Sequence, residues 1–225
     1  MIMMRKHSKI VSLLAVALCG ALLFSGCGLL ALMAPSSSGD EDFTAAMRKL
    51  QTGDYEEAIA LCEQALEKGL QETPEDDAYN LMCSAYLDLD DYEKAIENGE
   101  KALALNDNNY ICWTNLGIAY RMNGNYPRAI ECYNNALAIN PEYPEVLSSL
   151  GTLYVIQGDP EQALVYFEKA IATDPSLAVA HGNMALALAM LERFDDADKA
   201  LKQAKALGYQ NYDVIQERID ALKVD

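Results

Sequence analysis

The sequence predicts an all-α protein, a solenoid of about five helix-turn-helix units followed by a C-terminal capping helix. Three observations carry that prediction. From Trp113 to Pro141 the chain reads as two short amphipathic helices joined by a tight turn, with Trp113, Leu116, Gly117 and Tyr120 on one helical face. Small residues then recur at an interval of 34, as Ala95, Ala129, Ala163 and Ala197, and again as Ala102, Ala136, Ala170 and Ala204. The unit from Pro144 to Leu177 repeats the pattern with Leu147, Leu150, Gly151, Tyr154, Ala163, Phe167, Ala170 and Pro175. Neither helix of such a unit buries its apolar face alone, so each unit needs copies beside it.

Within the unit at 110–143, Asn123-Gly124 ends the first helix, because Gly accepts the left-handed conformation that closes helices. Asn125 caps the second helix, whose inner face is Ala129, Tyr133, Ala136 and Leu137, and Pro141 stops the unit. Small Gly117, Ala129 and Ala136 let the helices approach, and the aromatic rings fill the remaining space. A 34-residue period with this residue set resembles the tetratricopeptide repeat. The unit at 110–143 meets all eight signature places, taking Tyr133 for Phe, and the unit at 144–177 meets seven. The resemblance implies a right-handed solenoid whose first helices line a concave, protein-binding groove.

The chain divides as follows. Residues 1–26 have the layout of a secretion signal: Arg5, Lys6 and Lys9 precede an uncharged apolar run from Ile10 to Ala34. Phe24-Ser25-Gly26-Cys27 resembles a bacterial lipobox, which implies cleavage before Cys27 and lipid on its thiol, although Phe24 stands where Leu is usual. The competing reading is an uncleaved anchor, since 25 uncharged residues exceed the roughly 20 that span a bilayer. A fully released protein is the third. Both leading readings hold the repeats on the extracytoplasmic face of a bacterial membrane. Residues 27–42 are read as the remainder of the anchor and a polar linker, unfolded from Pro35 to about Asp42. The solenoid then fills 43–225.

Its first repeat, about 43–75, is read as having a shortened first helix from Phe43, with Gly53, Asp54 and Glu57 giving turn, cap and capping-box acid. A longer loop, Leu70 to Glu75, leads to Pro74 at the tolerated first position of the next helix. Repeat two, 76–109, carries Gly99 where an aromatic is expected, leaving its layer thin. In repeat four, 144–177, Gly158-Asp159-Pro160 gives stop, cap and first helical residue. Repeat five spans 178–211, and 212–223 forms the capping helix with Val214, Ile215, Ile219 and Leu222 on one face.

The residues of an enzyme are scarce, and no catalytic centre, cofactor site or metal site is expected. His181 falls at an inner helical place, and no nucleophile stands near a usable base. Asp88, Asp90 and Asp91 read as helix-ending acids rather than a calcium nest. A formal charge of −17 excludes nucleic acid, which calls for basic stripes. Cys62, Cys83, Cys112 and Cys132 show no zinc spacing, and Cys62 and Cys83 read as buried small hydrophobes, with a disulfide between them as the alternative.

The resemblance also places a groove, because its lining positions follow the core positions by one residue. Carried over, they include Asn80 and Ser84; Ile111, Thr114, Asn115, Ile118, Arg121 and Met122; Ser148, Thr152 and Val155; and Asn183, Leu186 and Met190. Arg121 is the lone cation among these, so a chaperone-type carboxylate clamp is not expected. Aliphatic side chains mixed with amides and hydroxyls fit a partly apolar peptide or protein partner, with amides left to bond its backbone. No small-molecule substrate is implied. The expected function is a membrane-held, extracytoplasmic scaffold that helps assemble an envelope or secretion complex. The competing class is a self-associating structural protein, in which one chain's hollow receives another chain's terminus.

Overall fold

The computed structural model describes residues 38–223, and every regular element among them is a helix. Five antiparallel pairs follow one another: α1 (Gly39–Thr52) with α2 (Tyr55–Lys68), α3 (Glu75–Asp88) with α4 (Tyr92–Leu105), and α5 (Tyr110–Met122) with α6 (Tyr126–Ile139). Then come α7 (Pro144–Gln157) with α8 (Pro160–Thr173), α9 (Ala178–Met190) with α10 (Phe194–Ala206), and the single α11 (Tyr212–Leu222). Contacts run within each pair and between neighbouring pairs, which is the one-dimensional connectivity of a solenoid.

Tight turns of one design make the pairs. Gly53, Asp90, Gly124, Gly158 and Glu192 all adopt positive φ, and the N–H of the residue that follows each bonds five residues back, as Asn125 N to Tyr120 O at 2.8 Å. Asp91, Asn125 and Asp159 then cap the second helices through the N–H groups of Lys94, Arg128 and Gln162. The expected cap at Asp54 is absent. Its carboxylate turns to Thr52 Oγ1 at 2.9 Å and Lys49 Nζ at 3.3 Å, and Glu57 pairs with Lys49 at 2.7 Å instead of closing a capping box.

In the middle repeats the core is set by a trade in volume between two facing places, the eighth and the twenty-fourth. Cys83 lies against Gly99, Gly117 against Tyr133 and Gly151 against Phe167, while the same places in the outer repeats hold Ala46 with Cys62 and Ala185 with Leu201, every member buried. A Cβ placed on Gly117 would stand 2.5 Å from the Tyr133 ring, and one on Gly151 would stand 2.6 Å from the Phe167 ring. In repeat two the trade is reversed. The layer expected to be thin at Gly99 is filled, since the Leu116 side chain and the Cys83 sulfur both press against it.

Two boundaries differ from the sequence reading. The linker ends before Gly39, because Ser38 caps a full 14-residue helix α1 and Asp42 is buried in an ion pair with Lys68 at 2.6 Å. The acids that read as linker are first-turn acids, placed where the helix dipole favours negative charge. Asp40 also accepts from the backbone N–H groups of Gln71, Glu72 and Thr73, and these bonds, led by that of Thr73, hold its carboxyl below the ordinary range. The lengthened loop is thus tied down by α1. Pro74 is the N-cap of α3 and not its first helical residue.

The four described cysteines are buried free thiols, as expected of small hydrophobes, and burial pushes the Cys62 thiol up to about 12. His181 is a core residue whose Nε2 lies 3.0 Å from the Pro175 carbonyl oxygen. Asp88 ends α3, Asp90 accepts from the Tyr92 hydroxyl at 2.6 Å, and Asp91 caps α4. Among the described residues no cluster of potential ligands forms a metal site, and no helix is long and apolar enough to cross a membrane. Cys27 and the whole signal segment lie outside the described residues.

Candidate peptide-binding groove

The first helices α3, α5, α7, α9 and α11 follow one another along one side of the solenoid. Their exposed or half-buried side chains make the candidate groove. Ile111 is 45% exposed, Met122 44%, Ile156 48% and Val179 39%. Asn80, Ser84, Asn115, Ile118, Arg121, Thr152, Val155, Asn183 and Met190 are half-buried.

Three candidates do not reach the surface. Thr114 is 6% exposed, Ser148 3% and Leu186 9%, so they cannot line a groove in this structure. Helical rotation explains it: adjacent positions differ by about 100°, so a residue beside a core place can itself turn inward. Thr114 Oγ1 donates to Tyr110 O at 2.7 Å within its own helix, and Leu186 joins the terminal core. Ser148 keeps a role as acceptor backbone, its carbonyl taking the Thr152 hydroxyl at 2.9 Å.

The amides are also partly committed. Asn115 Nδ2 donates to Asn80 Oδ1 at 3.0 Å, joining α5 to α3. Asn183 Nδ2 donates to Thr152 Oγ1 at 3.0 Å, joining α9 to α7, and Asn183 Oδ1 accepts from the Tyr209 hydroxyl at 3.1 Å. Sequence reasoning missed Tyr209, which stands at the repeat place usually held by Pro. Its ring lies against Gly182, where no Cβ fits, so the glycine on α9 is the signal that an aromatic approaches. These bonds make the groove floor rigid.

The junction between α5 and α7 is different. Neighbouring first helices touch along this face everywhere else, but these two stand farther apart. Beneath the gap lies Tyr133, fully buried, with a hydroxyl that has no hydrogen-bond partner. Burial raises its pKa above the ordinary phenol value; Arg121 and Ser149 stand close enough to oppose the rise without reaching hydrogen-bond geometry. The Ser149 hydroxyl gives its hydrogen to Glu145 O at 2.8 Å. Among the described residues Arg121 has no ion pair.

Comparisons with known proteins agree with this fold. Tetratricopeptide repeat family models match residues 74–142, 109–176, 154–216 and 47–75. The chain belongs to the tetratricopeptide repeat family, whose members bind protein or peptide partners. A crystal structure of MamA is 25% identical, with a TM-score of 0.62 over 72% of this chain and 93% of that one. A thermophilic repeat protein of Thermus thermophilus is 20% identical, with a TM-score of 0.64 over 84% of this chain and 100% of that one. YrrB, described as having an unusual peptide-binding site, is 22% identical, with a TM-score of 0.60 over 81% of this chain and 90% of that one. No curated protein matches the sequence.

Proposed function

We propose that this protein is a non-catalytic docking scaffold, which holds a partly apolar segment of a partner protein along its first helices. The observation that carries the reading is the uncovered aliphatic row Ile111, Met122, Ile156 and Val179, set on a floor cross-linked by Asn115 and Asn183. Aliphatic side chains left in water on a rigid floor gain from burial, about 25 cal/mol per Å². The rigidity of the floor reduces the ordering cost of binding. YrrB, whose fold this chain shares, is described as having a peptide-binding site, which supports the same use here.

Peptides selected from a random display library on the wild-type solenoid test the reading. Ile118→Glu together with Val155→Glu places two charges among the half-buried groove residues. The double variant is expected to lose at least about tenfold in affinity, roughly 1.4 kcal/mol, with its helical circular dichroism unchanged. Retained affinity would move the site to the opposite face or the loops.

The scaffold is further proposed to be held at the extracytoplasmic face of a bacterial membrane, serving an envelope or secretion complex. The support is the sequence alone: three early cations, the apolar run Ile10–Ala34, and Cys27 after Phe24-Ser25-Gly26. Two or three acyl chains at Cys27 would anchor stably where one would not. Labelled fatty acid is expected to enter the wild type and not Cys27→Ala. Equal labelling of both proteins would refute lipidation at that residue.

A further inference from the structure

Away from the groove, the second helices α2 and α4 flank a cleft of about 560 Å³, floored by Tyr79, Met82 and Tyr86 of α3. The repeat register puts the same places at the next two junctions, and there the cleft is shut. Between α4 and α6 the Tyr120 hydroxyl donates to Glu100, the counterpart of Glu63. Between α6 and α8 the ring of Tyr166, the counterpart of Asn98, stacks on Tyr154 at 5.3 Å. Neither closure forms between α2 and α4. Tyr86 gives no hydrogen bond to Glu63, and Asn98 is too short to cover the ring.

The open cleft has charge to spare on one wall. Lys94 and Lys101 stand over the Tyr86 and Tyr79 rings at 5.1 and 5.8 Å, so the floor already takes cations on its faces. Each is neutralised on its own side of the cleft, Lys94 by Asp91 at 3.1 Å and Lys101 by Glu97 at 2.6 Å. Opposite them, Glu63 and Glu67 on α2 have no ion pair among the described residues. Deeper in, Asn98 is only 7% exposed. Its Nδ2 is spent on Lys94 O at 2.9 Å, while its Oδ1 accepts no hydrogen bond and stays within reach of solvent.

Two carboxylates and an amide oxygen call for an occupant that brings positive charge and N–H groups. Hard divalent cations take six or more oxygens, and this floor offers rings and a thioether instead. An ammonium is a strongly hydrated point charge. A guanidinium is planar, sheds water more readily, stacks on aromatic faces and spans several acceptors with its fork of donors. The long-range field agrees. Residues 38–109 hold 19 Asp and Glu against 5 Lys and Arg, a balance of −14, whereas residues 178–223 hold 7 against 6. A basic partner is steered to this end of the solenoid.

We infer that the α2–α4 cleft is a second docking site, which takes an arginine side chain from a basic segment of a partner protein. Its guanidinium lies over the tyrosine floor and donates to Glu63, Glu67 and Asn98 Oδ1. Lys94 and Lys101, with side chains 57% and 49% exposed, draw back along α4 to make room. The site is separate from the groove and does not rest on it. A chain that carries both bridges two partners.

The methyl signal of Met82, in full-length protein labelled with carbon-13 at its methionine methyl groups, reads the cleft directly. The probes are a terminally blocked glycine–serine peptide with one central arginine and its citrulline twin, which keeps the shape without the charge. The arginine peptide is expected to shift Met82 saturably and to bind at least about tenfold tighter than the twin. Glu63→Gln with Glu67→Gln should weaken it about tenfold. Glu56→Gln with Glu93→Gln removes the same charge from exposed places outside the cleft and should change affinity less than about twofold. Asn98→Tyr, which copies the Tyr166 arrangement, should abolish the shift with helical circular dichroism unchanged; if that variant misfolds, the glutamine pairs still decide.

No saturable shift, or equal affinity for the two peptides, overturns the inference. Equal weakening by the two glutamine pairs overturns it as well, because the acidic field alone would then attract the peptide. A shift that survives Asn98→Tyr does the same. Ile118→Glu with Val155→Glu should leave arginine binding intact, so failure of this site and failure of the groove reading are told apart.

Discussion

Replacing Phe167 by alanine is expected to cost about 3–5 kcal/mol of unfolding free energy, the range for removing a buried aromatic ring. Phe167 is completely buried and its ring lies flush against the α7 backbone at Gly151, so no side chain is free to refill the space. The same contact makes Gly151→Ala unfavourable. Its Cβ would stand 2.6 Å from the ring, and an overpacked core loses about 1–3 kcal/mol. Helix propensity returns up to about 1 kcal/mol, because Gly is a poor helix residue. Steric conflict wins.

The protein itself shows the remedy. Repeat five carries Ala185 opposite Leu201 at the corresponding places, both buried. Gly151→Ala combined with Phe167→Leu is therefore expected to be more stable than the sum of its single variants predicts. Urea titration of the four proteins measures the coupling. Additivity within about 0.5 kcal/mol would show that the two places are energetically independent, and the volume trade would then not be what sets the helix spacing.

That trade was legible in the sequence only in part. Gly117 with Tyr133 and Gly151 with Phe167 follow the family pattern and mark their own spacing. Cys83 with Gly99 inverts it, and reading Gly99 alone as a deficit overlooked the larger residue facing it. The turns were legible where Gly occupies the positive-φ place, as at Gly124 and Gly158. At Asp90 and Glu192, both with φ of 58°, only the 34-residue spacing from those glycines betrays the same conformation. The start of α1 was hidden because Asp40, Glu41 and Asp42 look like solvated linker until the partners of Asp40 and Asp42 are known.

The groove shows the same limit. The family resemblance carries Ile118, Arg121, Met122 and Val155 onto the open face, but by the same rule it carries Thr114, Ser148 and Leu186 there, and those are buried. It does not say how far apart two neighbouring helices stand. That distance decides whether Asn115 reaches Asn80, or whether a phenol beneath α5 and α7 is left unpaired. Distances of this kind come from packing of all the layers together, and no single repeat encodes them.

The last repeat offers the sharpest test of how far such effects travel. Ile219 on α11 is fully buried, and with Ile215 it covers a cluster that includes Leu186, Leu188 and Leu201. Ile219→Ala is expected to cost about 2–5 kcal/mol where it acts. Yet α11 packs chiefly on α9 and α10, so the loss has little direct route to the middle repeats. If each repeat couples only to its neighbours, the variant opens locally. Hydrogen exchange should then show lost protection across α9, α10 and α11, with amides of α3 to α6 unchanged. Phe167→Ala, acting in a repeat with neighbours on both sides, should instead weaken protection in both directions. A uniform loss in the Ile219 variant would mean that the repeats unfold as one cooperative block. The groove floor joined by Asn115 and Asn183 would then depend on α11, and groove and cap would have to be treated as a single thermodynamic unit.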